Sequence, residues 1–265
     1  MLFAADIGNT SIDIGILDDG GRLKMKSKIA SDRSKTSDEY AATISGIFLS
    51  NGYTHDSISG AVISSVVPSV TRSVRDAVKK LFGIAPIEVG PGIKTGLNIK
   101  IDVQSQLGAD IVANSVAATA FYKCPLIIAD VGTATTFTAI NGDGVLEGVI
   151  IAPGIRVSLD ALAESAAWLT DVSLAPPKHF LGKNTNDSIS SGVLYGHAFM
   201  IDGFIDKICR MPGFENPEIL FTGGLAEAVL PLCTVKGDYD PSLGLKGLSI
   251  IYRKNQEMTR RKAVH

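Results

Sequence analysis

The chain has 265 residues, of which 45% are hydrophobic and 20% charged, and its formal net charge at pH 7 is −2. This length exceeds an ordinary domain of about 150 residues, and the composition excludes disordered, collagen-like and coiled-coil proteins. The nearly neutral charge does not favour nucleic acid or an anionic membrane as a partner. We therefore expect a compact protein of enzyme size that binds neither nucleic acid nor membrane.

The cysteines and the apolar runs bear on the location of the protein. Cys124, Cys209 and Cys233 are widely separated, and they offer neither a disulfide framework nor a CxxC metal pair, as is usual in a reducing compartment. The first five residues carry no basic side chain, unlike a signal peptide. No apolar run reaches the ~18–20 residues of a membrane-spanning helix. We expect a cytoplasmic protein.

The first segment of the chain combines a strand, a turn and a second strand. An apolar strand leads into Asp6-Ile-Gly-Asn-Thr10, and Ile12, Ile14 and Ile16 then alternate along residues 11–17. This period of two predicts a second strand. The hairpin ends at the turn Asp18-Asp-Gly-Gly21.

Helices and strands alternate over the next hundred residues. Thr36 and Glu39 form a predicted capping box for a helix that ends near Gly52, and Pro68 opens a helix that ends at Gly83. A buried strand is predicted at 61–67, a short strand at 87–89, a glycine-rich loop at 90–96 and a helix around 108–122. The pattern is typical of sheets with helices on their faces.

The order of strand, acidic turn and strand then returns. Asp130-Val-Gly-Thr133 follows an apolar strand and precedes a second strand at 134–140, with a turn at 141–144. Helices are predicted at 158–167 and 188–209, and a strand at 217–221 leads into Thr222-Gly-Gly224. The repeat predicts two related units with a cleft between them. A chance match is the alternative, because Asp-x-Gly is a common motif.

Both acidic turns suit a nucleotide phosphate. Small residues at a strand end let backbone N–H groups converge on a phosphate, and a nearby carboxylate holds the neutralising cation. Asp6 is therefore a candidate for Mg²⁺ or its waters, and Gly8 allows close approach of the backbone. A capped tight turn without a ligand explains either motif alone, and their recurrence favours phosphate binding.

Phosphoryl transfer also requires a carboxylate that orients the attacking hydroxyl. Asp110 is the best candidate, since it follows a glycine at a predicted helix start, where the first-turn amides attract anions. An ordinary helix-start carboxylate is the alternative. The sequence contains no HExxH, GxSxG, Walker A or GxGxxG motif, which excludes the commonest zinc, serine-hydrolase and dinucleotide sites.

Taken together and in order, these motifs resemble the type III pantothenate kinases, a family of the acetate and sugar kinase, actin and heat-shock ATPase superfamily. The resemblance spans roughly residues 1–250 and rests on Asp6–Thr10, Ser64–Pro68, Gly90–Leu97, Gly108–Asp110, Asp130–Ala134, Ile151–Gly154, Gly182–Thr185 with Ser188, Ile189 and Gly192, and Thr222–Gly224.

The resemblance implies an α/β fold of two tandem ribonuclease H-like (actin-like ATPase) subdomains, each a mixed sheet flanked by helices, with the active site in the cleft between them. We expect the subdomains at 1–115 and 116–255, followed by a basic tail at 256–265. The implied activity is ATP-dependent phosphorylation of pantothenate to 4'-phosphopantothenate, the first step of coenzyme A biosynthesis. The implied cofactors are ATP, Mg²⁺ and a monovalent cation, K⁺ or NH₄⁺, and the implied assembly is a homodimer with the substrate site near the interface.

The resemblance also implies roles for individual residues. Asp110 corresponds to the proton acceptor and Asp130 to the monovalent-cation ligand. The implied nucleotide contacts are Asp6, Ile7, Gly8, Asn9, Thr10, Ser11, Ile12, Asp13, Thr133, Gly223 and Gly224. The implied pantothenate contacts are Gly108, Ala109, Asp110, Ile111 and Thr185.

One position departs from the family pattern Gly-Ala-Asp-Arg, because Ile111 stands where the arginine is common. The substrate carboxylate loses a charged partner there, and Lys94, Lys100 and Lys183 are candidates to replace it. The alternatives to an ordinary pantothenate kinase are an idle nucleotide-binding homologue and a kinase of another small hydroxylated substrate. An acetate or sugar kinase explains the phosphate turns but not Gly182–Thr185.

Overall fold

A computed structural model of the protein describes residues 1–165 and 174–263. The described chain divides into two compact units. Unit 1 comprises Met1–Asn98, Asp102–Phe121 and the chain from Ser242 onward, and unit 2 comprises Ile99–Ile101 and the described part of Tyr122–Pro241. Within these residues, no helix is long and apolar enough to cross a membrane.

The described chain contains eleven strands and seven α-helices. They are β1 (Leu2–Ile7), β2 (Ser11–Leu17), β3 (Leu23–Ala30), α1 (Ser37–Ser50), β4 (Gly60–Ser65), α2 (Pro68–Phe82), β5 (Ile87–Glu88), β6 (Asn98–Ile99), α3 (Ala109–Phe121), β7 (Leu126–Val131), β8 (Ala134–Ile140), β9 (Val145–Pro153), α4 (Ile155–Ser165), α5 (Thr185–Cys209), β10 (Glu218–Thr222), α6 (Ala226–Val229), β11 (Asp238–Tyr239) and α7 (Leu243–Ala263), with short 3₁₀ turns at His55–Ser57, Gln104–Gln106 and Leu230–Leu232.

Unit 1 is a five-stranded mixed sheet with helices on both faces. The strand order is β3-β2-β1-β4-β5, with β1 antiparallel to β2 and parallel to β4. Phe3, Ile14 and their neighbours pack on one face with α1 and α2, whereas Leu2 and Val62 pack on the other face with α3 and α7. Successive side chains of β1 therefore point alternately into two apolar cores, as expected for a strand buried on both sides.

Unit 2 repeats this plan in a six-stranded sheet. The strand order is β11-β10-β7-β8-β9-β6, with β7 antiparallel to β8 and parallel to β10. Ile127, Phe137 and their neighbours form an apolar core with Leu194, Ala198 and Ile201 of α5. The repeated strand pairing supports the interpretation of the two acidic turns as parts of related units.

Local signals in the sequence specify several helix ends. The capping box forms, since Thr36 accepts from the backbone N–H of Glu39 and the side chain of Glu39 accepts from that of Thr36. Pro68 is the first residue of α2, and Gly83 ends it in the left-handed region with φ of 67°. These positions follow from chemistry within four residues, which explains their accurate prediction.

The unit boundaries differ from the predicted division at residues 115 and 116. Residues 116–121 continue α3 in unit 1, and α7 also belongs to unit 1 because Leu245, Leu248 and Ile251 pack in its core. The segment that we expected as a separate basic tail at 256–265 continues α7 to Ala263. Residues 264–265, and residues 166–167 of the predicted helix at 158–167, lie outside the described part of the chain.

Candidate functional site

The turn after β1 positions Asp6 at the end of the strand. The backbone N–H of Gly8 donates to Ser11 O at 3.0 Å and closes the turn, which leaves Asn9 and Thr10 exposed. Asp6 lies beside Ser64 of the parallel strand β4, and Ser64 Oγ donates to Asp6 Oδ1 at 2.6 Å. This hydrogen bond orients the carboxylate at the carboxyl edge of the sheet, where open α/β sheets bind ligands.

Two residues that the sequence reasoning missed lie near this carboxylate. A Cβ placed on Gly244 would lie 3.3 Å from Asn114 Oδ1 and 3.5 Å from Asp6 Oδ2. The two side-chain oxygens therefore converge at the start of α7. Asn114 lies one helical turn after Asp110 and so faces the same side of α3, which is the signal that could have identified it. Gly244 carries no such signal.

The other predicted nucleotide contacts in unit 1 occupy different environments. The side chains of Ile7 and Ile12 are fully buried in the core, so only their backbones are available to a ligand. Asp13 lies 3.6 Å from Lys26 Nζ and 3.6 Å from Lys28 Nζ on β3. The β2–β3 pair thus carries one carboxylate between two ammonium groups.

Asp110 lies in the first turn of α3. Its Oδ1 accepts from the backbone N–H of Ile111 at 2.8 Å, and the carboxylate folds back over Gly108, where a Cβ would collide with it. Burial raises the pKa of Asp110, and the hydrogen bond from Ile111 opposes that rise. A carboxylate with a raised pKa is a stronger base, which suits a proton acceptor.

Ile111 is only 6% exposed, although the sequence placed it among the substrate contacts. Its Cδ1 would lie 3.7 Å from a Cβ on Gly108. The isoleucine is buried at the start of α3, and an arginine in the same place would have to bury its charge or rearrange the helix start.

The turn after β7 occupies the equivalent place in unit 2, with three residues (132–134) between the paired strand residues where the first turn has four (8–11). The backbone N–H of Gly132 donates to Ala134 O at 3.0 Å, and that of Gly154 donates to Thr133 O at 3.1 Å. A Cβ on Gly154 would collide with the carbonyl oxygens of Gly132 and Thr133. Gly154 therefore brings a second backbone segment against the turn and leaves Thr133 exposed.

Gly223 packs against Asp130 on the neighbouring strand end. Its φ is 96°, a conformation that favours glycine, and a Cβ there would lie 2.5 Å from Asp130 Oδ1 and 2.5 Å from Val131 O. The Asp130 carboxylate oxygen and the backbone N and O of Val131 therefore all lie close to Gly223, so that only a glycine fits beside Asp130. Gly224 follows in an exposed position.

The described residues contain no group of three or more His, Cys, Asp and Glu side chains that could hold a metal ion. Each of the two acidic turns offers carboxylate, hydroxyl and backbone oxygens instead. Such sets hold a cation together with nucleotide phosphates and water, as Mg²⁺ commonly does.

A cavity of about 1020 Å³ lies in unit 2, and Thr185 lines it together with Lys183 and His197. His197 is buried, and its Nε2 lies 2.7 Å from Thr135 Oγ1 in a hydrogen bond. Burial lowers the pKa of His197, so the ring is neutral at neutral pH. The cavity also borders Pro153, the residue before Gly154, which connects it to the turn at Thr133.

The structure thus brings the predicted residues together within each unit. Unit 1 places Asp6 beside Ser64, and Asp110 beside Gly108. Unit 2 places Asp130 beside Gly223, Thr133 beside Gly154, and Thr185 in the large cavity.

Comparison with known proteins gives a consistent result. The sequence profile of one family, described as type III pantothenate kinase, matches residues 2–207. A type III pantothenate kinase of Halalkalibacterium halodurans is 41% identical over 255 residues, which cover 96% of this chain and 100% of the relative. One of Geobacillus sp. strain WCH70 is 42% identical over 255 residues, which cover 96% and 98%.

A solved structure supports the fold. The activator of the 2-hydroxyisocaproyl-CoA dehydratase from Clostridium difficile with bound ADPNP matches with a TM-score of 0.62 and 12% identity, covering 98% of this chain and 97% of that one. Together with the two mixed sheets flanked by helices, this likeness confirms the predicted fold class. The extent of the family match and the identity of the relatives confirm the predicted family: the chain belongs to the type III pantothenate kinases.

Proposed function

We propose that the protein transfers the γ-phosphoryl group of ATP to the hydroxyl of pantothenate, giving 4'-phosphopantothenate and ADP in the first step of coenzyme A biosynthesis. The observation that carries this proposal is the repeated carboxylate–glycine turn at equivalent strand ends of two similar sheets, in a chain of this family. Two such turns offer the backbone N–H groups and the cation ligands that nucleotide phosphates require.

Asp110 acts in this proposal as the proton acceptor. The pantothenate hydroxyl oxygen forms a bond to the γ-phosphorus, the bond from that phosphorus to the ADP oxygen breaks, and the hydroxyl proton moves to Asp110. Its raised pKa favours acceptance of the proton, while the hydrogen bond from Ile111 keeps the carboxylate oriented. In-line positioning and neutralisation of charge supply the rest of the rate enhancement.

The carboxylates of the two turns are assigned to different cations. Asp6, oriented by Ser64, would hold Mg²⁺ or its waters, and Asp130, beside Val131 O and Gly223, would hold K⁺ or NH₄⁺. These cations neutralise phosphate charge when bound. The same assignment gives nucleotide contacts to residues 6–13, Thr133, Gly223 and Gly224, and pantothenate contacts to residues 108–111 and Thr185.

We further propose that the protein is a homodimer that acts in the cytoplasm. Phe180, Tyr195 and Phe199 form a cluster of rings on unit 2, and Phe199 is 55% exposed. Exposed aromatic clusters of this kind are typical of interfaces. Light scattering should give twice the chain mass for the wild type and a smaller mass for Phe199→Asp, and a monomeric wild type would contradict the dimer. The three cysteines are free, which agrees with a reducing compartment.

The test of the activity is a coupled ADP-release assay with Mg-ATP and pantothenate, run with K⁺, with NH₄⁺ and with Na⁺ alone. Pantothenate-dependent turnover is expected, and it should require K⁺ or NH₄⁺. Turnover that is equal in all three salts would remove the cation role of Asp130 but keep the kinase. Absence of turnover in every salt would favour an idle nucleotide-binding homologue or a kinase with another substrate.

A further inference from the structure

The large cavity of unit 2 contains one charged side chain among its described lining residues. Lys183 is that side chain, since His197 is neutral and the other described lining groups are apolar, amide, hydroxyl or glycine. Its volume of about 1020 Å³ is ample for a small molecule the size of pantothenate. Lys183 is an exposed residue at the wall of this cavity, and a single ammonium group beside a mostly uncharged cavity favours a ligand with one negative charge.

The segment that carries Lys183 is held against the start of α5 on both sides of the lysine. Asn184 accepts from the backbone N–H of Asp187 at 2.9 Å and caps the helix. Gly182 packs so closely on Ser188 that a Cβ would collide with its backbone, and Ser191 Oγ donates to Phe180 O. These contacts place the Lys183 backbone at a defined position on the cavity wall, next to Thr185.

The other two candidate lysines lie elsewhere. Lys94 lines a separate cavity of about 460 Å³ in unit 1, together with Lys254 and Glu257. Lys100 follows β6, where its backbone N–H donates to Leu146 O at 2.9 Å, and it is not among the residues that line the large cavity. Lys183 is thus the one candidate that shares a cavity with Thr185.

We propose that Lys183 binds the carboxylate of pantothenate and makes the enzyme selective for the acid over neutral analogues. This inference rests on the proposed function. Pantothenate carries its single negative charge at the end remote from the hydroxyl that is phosphorylated, so the anchor for the carboxylate is separate from the groups that handle phosphate. Lys183 therefore determines substrate affinity and takes no part in the transfer step.

The test compares Lys183→Gln with Lys183→Arg and with Lys178→Gln. Lys178 is an exposed lysine of the same segment that does not line the cavity, which makes it a matched control. We expect Lys183→Gln to raise the KM for pantothenate at least tenfold, with kcat and the KM for ATP changed less than twofold. Lys183→Arg should keep the KM within about threefold, and Lys178→Gln should leave it unchanged.

A neutral analogue of pantothenate tests whether Lys183 recognises the charge of the ligand. Pantothenol, in which an alcohol replaces the carboxylate, should inhibit the wild type and Lys183→Gln with equal inhibition constants. A pantothenate KM that Lys183→Gln changes less than twofold, or a parallel rise in the inhibition constant of pantothenol, would overturn the proposal.

Different results would contradict the proposed activity and the proposed role of Lys183. If the wild type shows no pantothenate-dependent ADP release, the proposed activity fails. If the wild type is active but the lysine variants behave like the control, only the role of Lys183 fails. Calorimetric titration with pantothenate alone gives the same comparison without turnover, and a wild type that binds no pantothenate would also overturn the role of Lys183.

Discussion

In unit 1 Asp6 is in register with Ser64 of the neighbouring parallel strand β4, and in unit 2 Asp130 is in register with Thr222 of the neighbouring parallel strand β10. Both hairpins pair six residues on each strand in antiparallel register, and both second strands have a register shift against the third strand near their far ends. The two hairpins therefore share one strand arrangement, although their turns have four residues in unit 1 (8–11) and three in unit 2 (132–134).

The surroundings of the two carboxylates differ. Asp6 faces Asp13 across its hairpin, with two lysines beyond it, whereas Asp130 faces the neutral Thr136. Helix α7 brings Gly244 toward Asp6, and the tight glycine Gly223 packs on Asp130. The same strand arrangement thus holds two carboxylates in different electrostatic settings, which suits cations of different charge.

A second difference lies directly behind the turns. Ile12 of unit 1 pairs with Ile7, and its counterpart in unit 2, Thr135, pairs with Val131. Ile12 is buried in an apolar core, but Thr135 is hydrogen-bonded to His197. The first turn therefore rests on apolar packing and the second on a buried polar pair.

The largest expected effect concerns Asp110, in the first turn of α3 in unit 1. Asp110→Asn should lower kcat by about 10²–10⁴-fold, the usual contribution of general base catalysis, and should leave the KM for ATP nearly unchanged. In the wild type, kcat should fall as the pH drops through a pKa above the usual range of aspartate, because burial raises that pKa. Steady-state kinetics over pH measures both effects, and normal turnover by the variant would remove Asp110 from the base role.

The two turn glycines should differ in their tolerance of a side chain. Gly223→Ala should lower the free energy of unfolding by at least about 2 kcal/mol, because φ is 96° and the Cβ would press on Asp130 and Val131. Gly8→Ala meets only Ser11 O at 3.1 Å and should cost about 1 kcal/mol or less. Urea unfolding of both variants measures the difference, and equal losses would show that the turns are packed alike.

Substitutions of Asp6 and Asp130 should affect the dependence of turnover on different cations. Asp130→Asn should reduce the activation by K⁺ or NH₄⁺ about tenfold or more, whereas Asp6→Asn should raise the Mg²⁺ concentration required and keep the response to K⁺. Titrations of each cation against turnover measure both. If the two variants respond identically, the assignment of different cations to the two turns is wrong.

The smallest expected effect concerns the polar pair behind the second turn. Since burial lowers the pKa of His197 below its ordinary value of 6.5, the unfolded chain binds this proton more readily. The contribution of His197 to stability is therefore present above pH 6.5 and is lost as the pH falls below it. His197→Leu should cost about 1 kcal/mol at pH 8 and should flatten the fall of the melting temperature toward pH 5. A variant with an unchanged pH profile would show that His197 does not titrate on unfolding.

Much of the backbone could be predicted because its signals are local. The alternation of Ile12, Ile14 and Ile16 specifies β2, the capping box of Thr36 starts α1, and the two Asp-x-Gly turns follow their strands as expected. Such patterns work through residues two to four positions apart, so neighbouring side chains determine them.

The sequence by itself thus determined the hairpins, the helix ends, the repeated acidic turns and the family. Only the tertiary structure decided that Gly244 and Asn114 converge on Asp6, that Ile111 is buried, that α7 belongs to unit 1, and that Lys183 shares a cavity with Thr185 while Lys94 does not. Apart from Lys183 and Thr185, the partners in these contacts come from separate secondary-structure elements or from both ends of the chain. Their approach depends on how whole helices pack on the sheets, and no pattern within a few residues encodes it.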